Sequence, residues 1–268
     1  MRGDSVWREL VDGLATVTPK HPIPMRTTFR DCFLVNMRMA PETLARVLPA
    51  PLQPDVYGGR AFLSVVIADM ERMRPAFVPR ALGITYQQVV YRAVVRCGGQ
   101  RGVHFLRSDA DHPLMVVMGN LLSFFRFHPA RIVRTQGGGL HHFDLVATPS
   151  DRADIHATFD VGHGSRTVPA SSVFPDIDDA QRFLVELYTA FRPSSDGQRV
   201  SSVDIERGRW NITMVDAPRA RFDLMNGSAL FPPGSTEIDS VIYVEDIEYV
   251  WHTVKHQAVV PDGAPAGP

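Results

Sequence analysis

The sequence predicts an antiparallel α+β fold, and three features carry that reading. Glycine pairs and runs, Gly98-Gly99 and Gly137-Gly138-Gly139, separate strand-like segments at hairpin spacing. Short helical segments are set among the strands instead of alternating with them one for one, which argues against βαβ repeats. Neither a dinucleotide-binding nor a P-loop glycine pattern occurs.

Taken in order, Trp7 to Val17 has the spacing of a short amphipathic helix, and Lys20-His21-Pro22-Ile23-Pro24 breaks it into an extended entry. Phe29 to Met39 reads as a strand. Pro41, suited to a first helical turn, opens a short helix to Leu48 that Pro49 and Pro51 close. Ala61 to Ala68 is almost continuously apolar, with Val65, Val66 and Ile67, the mark of a strand covered on both faces. Ile84 to Cys97 and Gly102 to Ser108 flank the first glycine turn and should pair antiparallel. Pro113 to Phe125, rich in Leu, Met and Phe, reads as a buried helix behind an Asp111-His112 cap region. Ile132 to Thr135 and Leu140 to Thr148 flank the second glycine turn. Ala153, Ile155, Ala157 and Phe159 alternate with Asp154, His156 and Thr158, so this strand has one wet face. Asp176 to Phe191 places Phe183, Leu184, Leu187, Tyr188 and Phe191 at helical spacing behind Asp178 and Asp179, and is expected as the main helix. Arg199 to Arg207, Asn211 to Leu224 and Ile238 to His252 complete the strands.

Composition bounds the function. With 268 residues, 44% hydrophobic and 21% charged, one domain over residues 1–256 can bury a sizeable core, followed by a Pro-, Gly- and Ala-rich tail over 257–268 that is expected to be disordered. A net charge of -1 supplies no field to gather phosphate backbones, so no nucleic-acid partner is expected. No run approaches the ~20 apolar residues of a membrane span, and charges interrupt the first residues, so neither a membrane partner nor a signal peptide is expected. Two isolated cysteines, Cys32 and Cys97, suit a reducing compartment, and the expected location is the cytoplasm. A homo-oligomer is left open. No cofactor is expected, and the expected partner is a small-molecule metabolite.

Arg60 to Val66, Gln88 to Arg92, Gly102 to Asp111, Phe125 to Arg131 and Ser240 to Trp251, taken together in this order and spacing, resemble the YqjF-like family of bacterial proteins, within the acetoacetate decarboxylase-like superfamily. The resemblance runs from about Phe33 to Trp251. It implies an antiparallel β cone or barrel enclosing a cavity and flanked by a few short helices. In the decarboxylases a buried lysine forms an imine with a keto acid. The matching stretch here, Phe127-His128-Pro129-Ala130, has no lysine, and an expected glutamate is replaced by Gln88. Lys20 and Lys255 are the two lysines of the chain and both lie in terminal segments, which removes imine chemistry from the cavity. The resemblance therefore supports the scaffold and leaves the reaction open.

Gln88, Val90, Arg92 and Val94 share one face of a strand, and Arg92 beside Gln88 would clamp a carboxylate or enolate oxygen; the plainer reading is a rim salt bridge. His104, across the hairpin, is a candidate acid/base, or simply a half-buried histidine. Arg126 and His128 occupy the region of the superfamily's lysine among Phe124, Phe125 and Phe127, which line a small-molecule pocket or belong to ordinary core. Arg92, His104 and His128 are thus the catalytic candidates; Gln88, Arg126, Phe125 and Phe127 are the binding candidates. His142, Asp144 and His156 could converge on a metal, but neighbouring polar residues on a wet face explain them as well, and no metal is expected. Ser165 lacks the setting of a nucleophile elbow and reads as part of a surface loop. Asp109 and Asp111 read as turn and cap residues. The expected function is a lyase, isomerase or cyclase acting on a carbonyl- or carboxylate-bearing metabolite of specialised metabolism by polarisation and proton transfer; a carrier without turnover is the alternative.

Overall fold

The computed structural model describes residues 22–147 and 153–258. The helix expected over Trp7 to Val17 and the tail beyond Ala258 lie outside the described residues. In chain order the elements are β1 (Met25–Met39), α1 (Pro41–Ala45), β2 (Gln53–Pro54), β3 (Val56–Tyr57), β4 (Arg60–Pro75), β5 (Ile84–Cys97), β6 (Gln100–Ala110), α2 (Pro113–Leu122), β7 (Phe127–Gly137), β8 (Leu140–Ala147), β9 (Ile155–Ser165), α3 (Ile177–Ala180), β10 (Thr189–Pro193), β11 (Arg199–Arg207), β12 (Thr213–Phe222) and β13 (Thr236–Ala258).

All thirteen strands belong to one sheet, in the order β11-β10-β6-β7-β8-β9-β12-β13-β1-β4-β5-β2, with β3 paired to β4. Two further pairings, β5 with β6 and β11 with β13, close this path into two rings that share the wall β13-β1-β4-β5-β6. The result is a ring of strands and not a regular barrel. Pairing is antiparallel except where β6 meets β7 and β10.

The shared wall explains the continuous apolar run of β4. Side chains alternate across a strand. Leu63, Val65 and Ile67, with Phe33 and Val35 of β1 and Val89 and Tyr91 of β5, pack in one core, while Phe62, Val66 and Ala68, with Cys32, Leu34 and Val94, pack in the other. Neither face meets water, so neither needs polar residues.

Both hairpins form where the glycines indicate. Gly98 and Gly99 adopt φ of 54° and 78°, as a tight two-residue turn requires, and Cys97 pairs with Gln100. Gly138 and Gly139 do the same between Gly137 and Leu140. In β9, Ile155, Ala157 and Phe159 are buried and His156 is exposed.

The expected Asp176–Phe191 helix is the largest correction. Its start is right: Asp176 accepts a hydrogen bond from the Asp179 amide at 2.8 Å. After α3 and one π-helical turn over Gln181–Val185, however, the chain enters β10. Thr189 to Pro193 pair with β11, and Ala190 with Val103 of β6. Inter-strand hydrogen bonds thus replace the second half of the helix; Phe183, Leu184, Leu187 and Phe191 are buried all the same, while Tyr188 is exposed. Asp109 is also corrected: it is a fully buried residue of β6, ion-paired to Arg107 at 2.7 Å, and not a turn residue. Asp111 accepts from the Gln87 amide at 2.8 Å instead of capping α2. No helix among the described residues is long and apolar enough to cross a membrane.

Candidate functional site

On the β10 and β11 side of the shared wall, α2 roofs a cavity of about 210 Å³. Its floor comes from alternate residues of β5, namely Ile84, Tyr86, Gln88, Val90 and Arg92, with Val66, Ala68 and Met70 of β4 beside them. Met115, Met118, Gly119 and Leu122 face it from α2. Phe105, Phe125 and Trp251 close one side, with ring centroids 4.6 Å apart for Phe105 and Phe125 and 5.2 Å for Phe125 and Trp251. Tyr249 stacks on Phe29 at 4.7 Å.

Two residues set α2 over this floor. The Asn120 side chain donates to the Phe127 carbonyl and accepts from the Phe127 amide, both at 2.8 Å. Gly119 rests against the Phe127 ring, where a Cβ would come within 2.4 Å of a ring carbon. Glycine is required there by close approach, not by its own φ.

The polar groups of the cavity are few. Arg92 is 7% exposed, and one of its Nη atoms donates to the Leu184 carbonyl at 2.9 Å. Its buried Nε has no hydrogen-bond partner. Burial lowers its pKa, and the groups acting on its charge are Tyr249, Cys32 and Arg207, with no carboxylate among them. A guanidinium keeps its proton even so, leaving a buried positive charge with an unused donor. Further back on the same strand, the Tyr86 hydroxyl donates to Gln88 Oε1 at 2.9 Å, and burial pushes the Tyr86 phenol up. The Tyr249 phenol is pushed up in the same way. Both remain neutral donors at neutral pH. Cys32, buried in the same core on the rung of Ala68 and Gln88, is pushed up to about 12 by burial and stays a thiol.

The structure brings Arg92, Gln88, Phe125 and Phe127 together around the cavity and leaves three other candidates outside it. His104 pairs with Ala93, one residue past Arg92, and therefore lies on the opposite face; Phe105 is the residue opposite Arg92. His104 Nδ1 is 2.9 Å from the Phe191 carbonyl, and burial holds its pKa at about 4. His128 follows Phe127 in β7 and so points the other way, with Nδ1 3.3 Å from the Ser108 carbonyl. Arg126 is exposed at a left-handed φ of 45°. Tyr86, Tyr249 and Trp251 were missed by sequence reasoning. The period of two that singled out Gln88 and Arg92 would have reached Tyr86 one step earlier, while nothing local to β13 places Tyr249 and Trp251 beside it.

The other sequence candidates separate. His156 Nδ1 meets Asp144 at 2.7 Å, whereas His142 bonds Thr158 at 2.9 Å, and no group of three metal-binding side chains gathers among the described residues. Ser165 ends β9 instead of lying in a loop, and its Oγ accepts from the Thr167 amide at 2.9 Å.

A family model described as an uncharacterized conserved protein, DUF2071, matches residues 26–248. The chain belongs to the DUF2071 family. The DUF2071 region takes in Gln88, Arg92 and all of α2; Tyr249 and Trp251 stand just past its end. Among curated proteins, YqjF of Bacillus subtilis (strain 168), itself described as uncharacterized, is 24% identical over 195 residues, which is 72% of this chain and 76% of YqjF. Solved structures share the fold. Acetoacetate decarboxylase from Legionella pneumophila aligns with a TM-score of 0.61 at 15% identity, covering 90% of this chain and 89% of that one. An acetoacetate decarboxylase-like enzyme from Sphingomonas wittichii RW1 gives 0.59 at 12%, covering 89% and 93%. The enduracididine biosynthesis enzyme MppR, in complex with the condensation product of pyruvate and imidazole 4-carboxaldehyde, gives 0.57 at 14%, covering 91% and 90%. These likenesses establish an acetoacetate decarboxylase-like fold.

Within that fold the DUF2071 chain has Ala130 after His128-Pro129, and Lys255 pairs with Asp204 at 2.5 Å on the exposed faces of β11 and β13, away from the cavity.

Proposed function

We propose that this protein binds a small, largely apolar metabolite through a carboxylate or enolate oxygen held by Arg92, with Gln88, two places back along the same face of β5, for a second polar group of the ligand. The observation that carries the reading is the buried Arg92 guanidinium, which faces an apolar cavity with an unused Nε and no carboxylate acting on it. An uncompensated buried charge is costly, and an anionic ligand would remove the cost. A cavity of about 210 Å³ has room for about seven water-sized groups, which suits an acid of six or so carbons.

A second reading is an enzyme of the lyase or isomerase type, placed in the cytoplasm and in specialised metabolism. Its support is the enzyme neighbours, MppR among them, and a cation and an amide able to stabilise a developing oxyanion. Against proton transfer by a side chain stands the lining: its phenols are held neutral, and His104 and His128 lie elsewhere. Such chemistry would rest on polarisation by Arg92 and Gln88, and it excludes an imine.

Calorimetric titration with hexanoate and with hexanol tests the site. Hexanoate should bind about tenfold or more tightly than hexanol, and Arg92→Met should erase that difference. Equal binding of the two by the unaltered protein, or an unaltered preference in Arg92→Met, would sink the proposal. Solvent deuterium entering 2-oxohexanoate in the unaltered protein, but not in Arg92→Met, would establish turnover over simple carriage.

A further inference from the structure

Two further arginines, Arg192 and Arg126, stand behind the aromatic side of the cavity, outside its lining. Ala190 of β10 pairs in parallel with Val103 of β6, so Arg192, two residues on, stands alongside Phe105 on the same face. The Phe105 ring packs on Phe125 at 4.6 Å, and Arg126 follows Phe125 directly. The electrostatics agree with this placement. Arg192 is half-buried, and its pKa is lowered first by burial and then by the charge of Arg126, with no carboxylate acting on it. His104, behind the same strand, feels both arginines. Among the described residues neither guanidinium makes a hydrogen bond or ion pair. Elsewhere in the molecule Arg101, Arg107 and Arg134 each meet a carboxylate.

Like charges brought together without a counter-ion repel each other, and an oxyanion between them would reverse the sign of that energy. We propose that Arg126 and Arg192 form an oxyanion subsite beside the Phe105 and Phe125 wall, across Phe105 from Arg92, taking a carboxylate or phosphate at the second end of a ligand whose first acidic group sits on Arg92. The inference rests on the cavity being a ligand site. It narrows the ligand to a molecule with an acidic group at each end, one for Arg92 and one for the pair.

The test uses calorimetry with hexanoate, straight-chain dicarboxylates of about eight to ten carbons, the matching ω-phosphonates, and inorganic phosphate. The proteins are the full chain, Arg92→Met, and the double variant Arg126→Gln with Arg192→Gln, with folding checked by circular dichroism. At least one dicarboxylate or phosphonate should bind about tenfold more tightly than hexanoate, and the comparison between them shows which oxyanion is preferred. The double variant should lose this gain and keep its affinity for hexanoate; Arg92→Met should weaken both. If no two-ended ligand gains over hexanoate, or if the gain survives in the double variant, the subsite is overturned. If hexanoate fails to bind while inorganic phosphate binds and is lost in the double variant, the cavity reading falls and the arginine pair stands as an oxyanion site by itself.

Discussion

Arg92 and His104 come from adjacent strands, and burial acts on both in the same direction, lowering the pKa of each. The outcomes differ because their starting values differ. Arginine begins so high that it stays charged and needs an anion, while histidine simply gives up its proton and donates Nδ1–H to Phe191. The histidine therefore belongs to stability. With a folded pKa of about 4 against 6.5 in the unfolded chain, it contributes nothing above pH 6.5, where both states are neutral. Below that the unfolded state takes up the proton first, so stability falls between pH 6.5 and 4 by at most about 3 kcal/mol and then levels. Urea unfolding of the native protein and of His104→Gln over this range should show a shallower loss in the variant; identical slopes would contradict a buried neutral His104. The residue alphabet made Arg92 and Gln88 legible as a pair because a strand repeats every two residues. It could not show that His104 pairs with Ala93, since one step of register decides the face.

At the scale of elements, the legible parts are those whose cause is local. The glycine hairpins and the strands of the shared wall needed only turn chemistry and an apolar run. The second half of the segment from Asp176 did not, because Thr189 to Phe191 obey β11 and β6, partners distant in sequence. The roof of the cavity is non-local in the same sense: α2 is placed by the Asn120 bonds to Phe127 and by the parallel pairing of β6 with β7. Gly119 makes this placement testable. Gly119→Ala would push its new methyl into the Phe127 ring, which itself lines the cavity. It should cost about 1–3 kcal/mol in urea unfolding and weaken hexanoate binding, despite the better helix propensity of alanine. Adding Phe127→Leu should return part of both losses by making room. A Gly119→Ala protein that is as stable as the parent and binds as well would show that α2 does not sit so close.

The whole molecule depends on two rings keeping one wall in common, and Arg134 ties the larger ring across its interior. It leaves β7, which is paired with β6 and β8, and reaches Asp31 of β1 at 2.9 Å and Asp69 of β4, strands that β7 does not touch in the sheet. His141 Nδ1 lies 2.6 Å from the same guanidinium, which also sits 5.2 Å from the centre of the Phe143 ring. Asp31 in turn accepts from the Tyr243 hydroxyl of β13 at 2.5 Å. Burial raises the pKa of Asp69, opposed by Arg134, and Asp31 adds to the rise. Removing the cation in Arg134→Leu leaves two partly buried carboxylates facing each other. Because both retain some contact with water, the loss at pH 7.5 should be about 2–3 kcal/mol, below that of a fully buried pair. The sign of its pH dependence follows from the raised carboxylate. Above the folded pKa of Asp69 the variant bears the whole penalty; as pH falls through that value the folded state takes a proton before the unfolded chain does, and the gap to the parent narrows toward the unfolded value of 3.8. Comparing the two proteins at each pH cancels the contribution of His104, which both share. Urea unfolding at pH 7.5 and at about pH 4, just above the unfolded value, should therefore show a smaller difference at the lower pH, and a difference below about 1 kcal/mol at pH 7.5 would mean that the sheet closes without this tie.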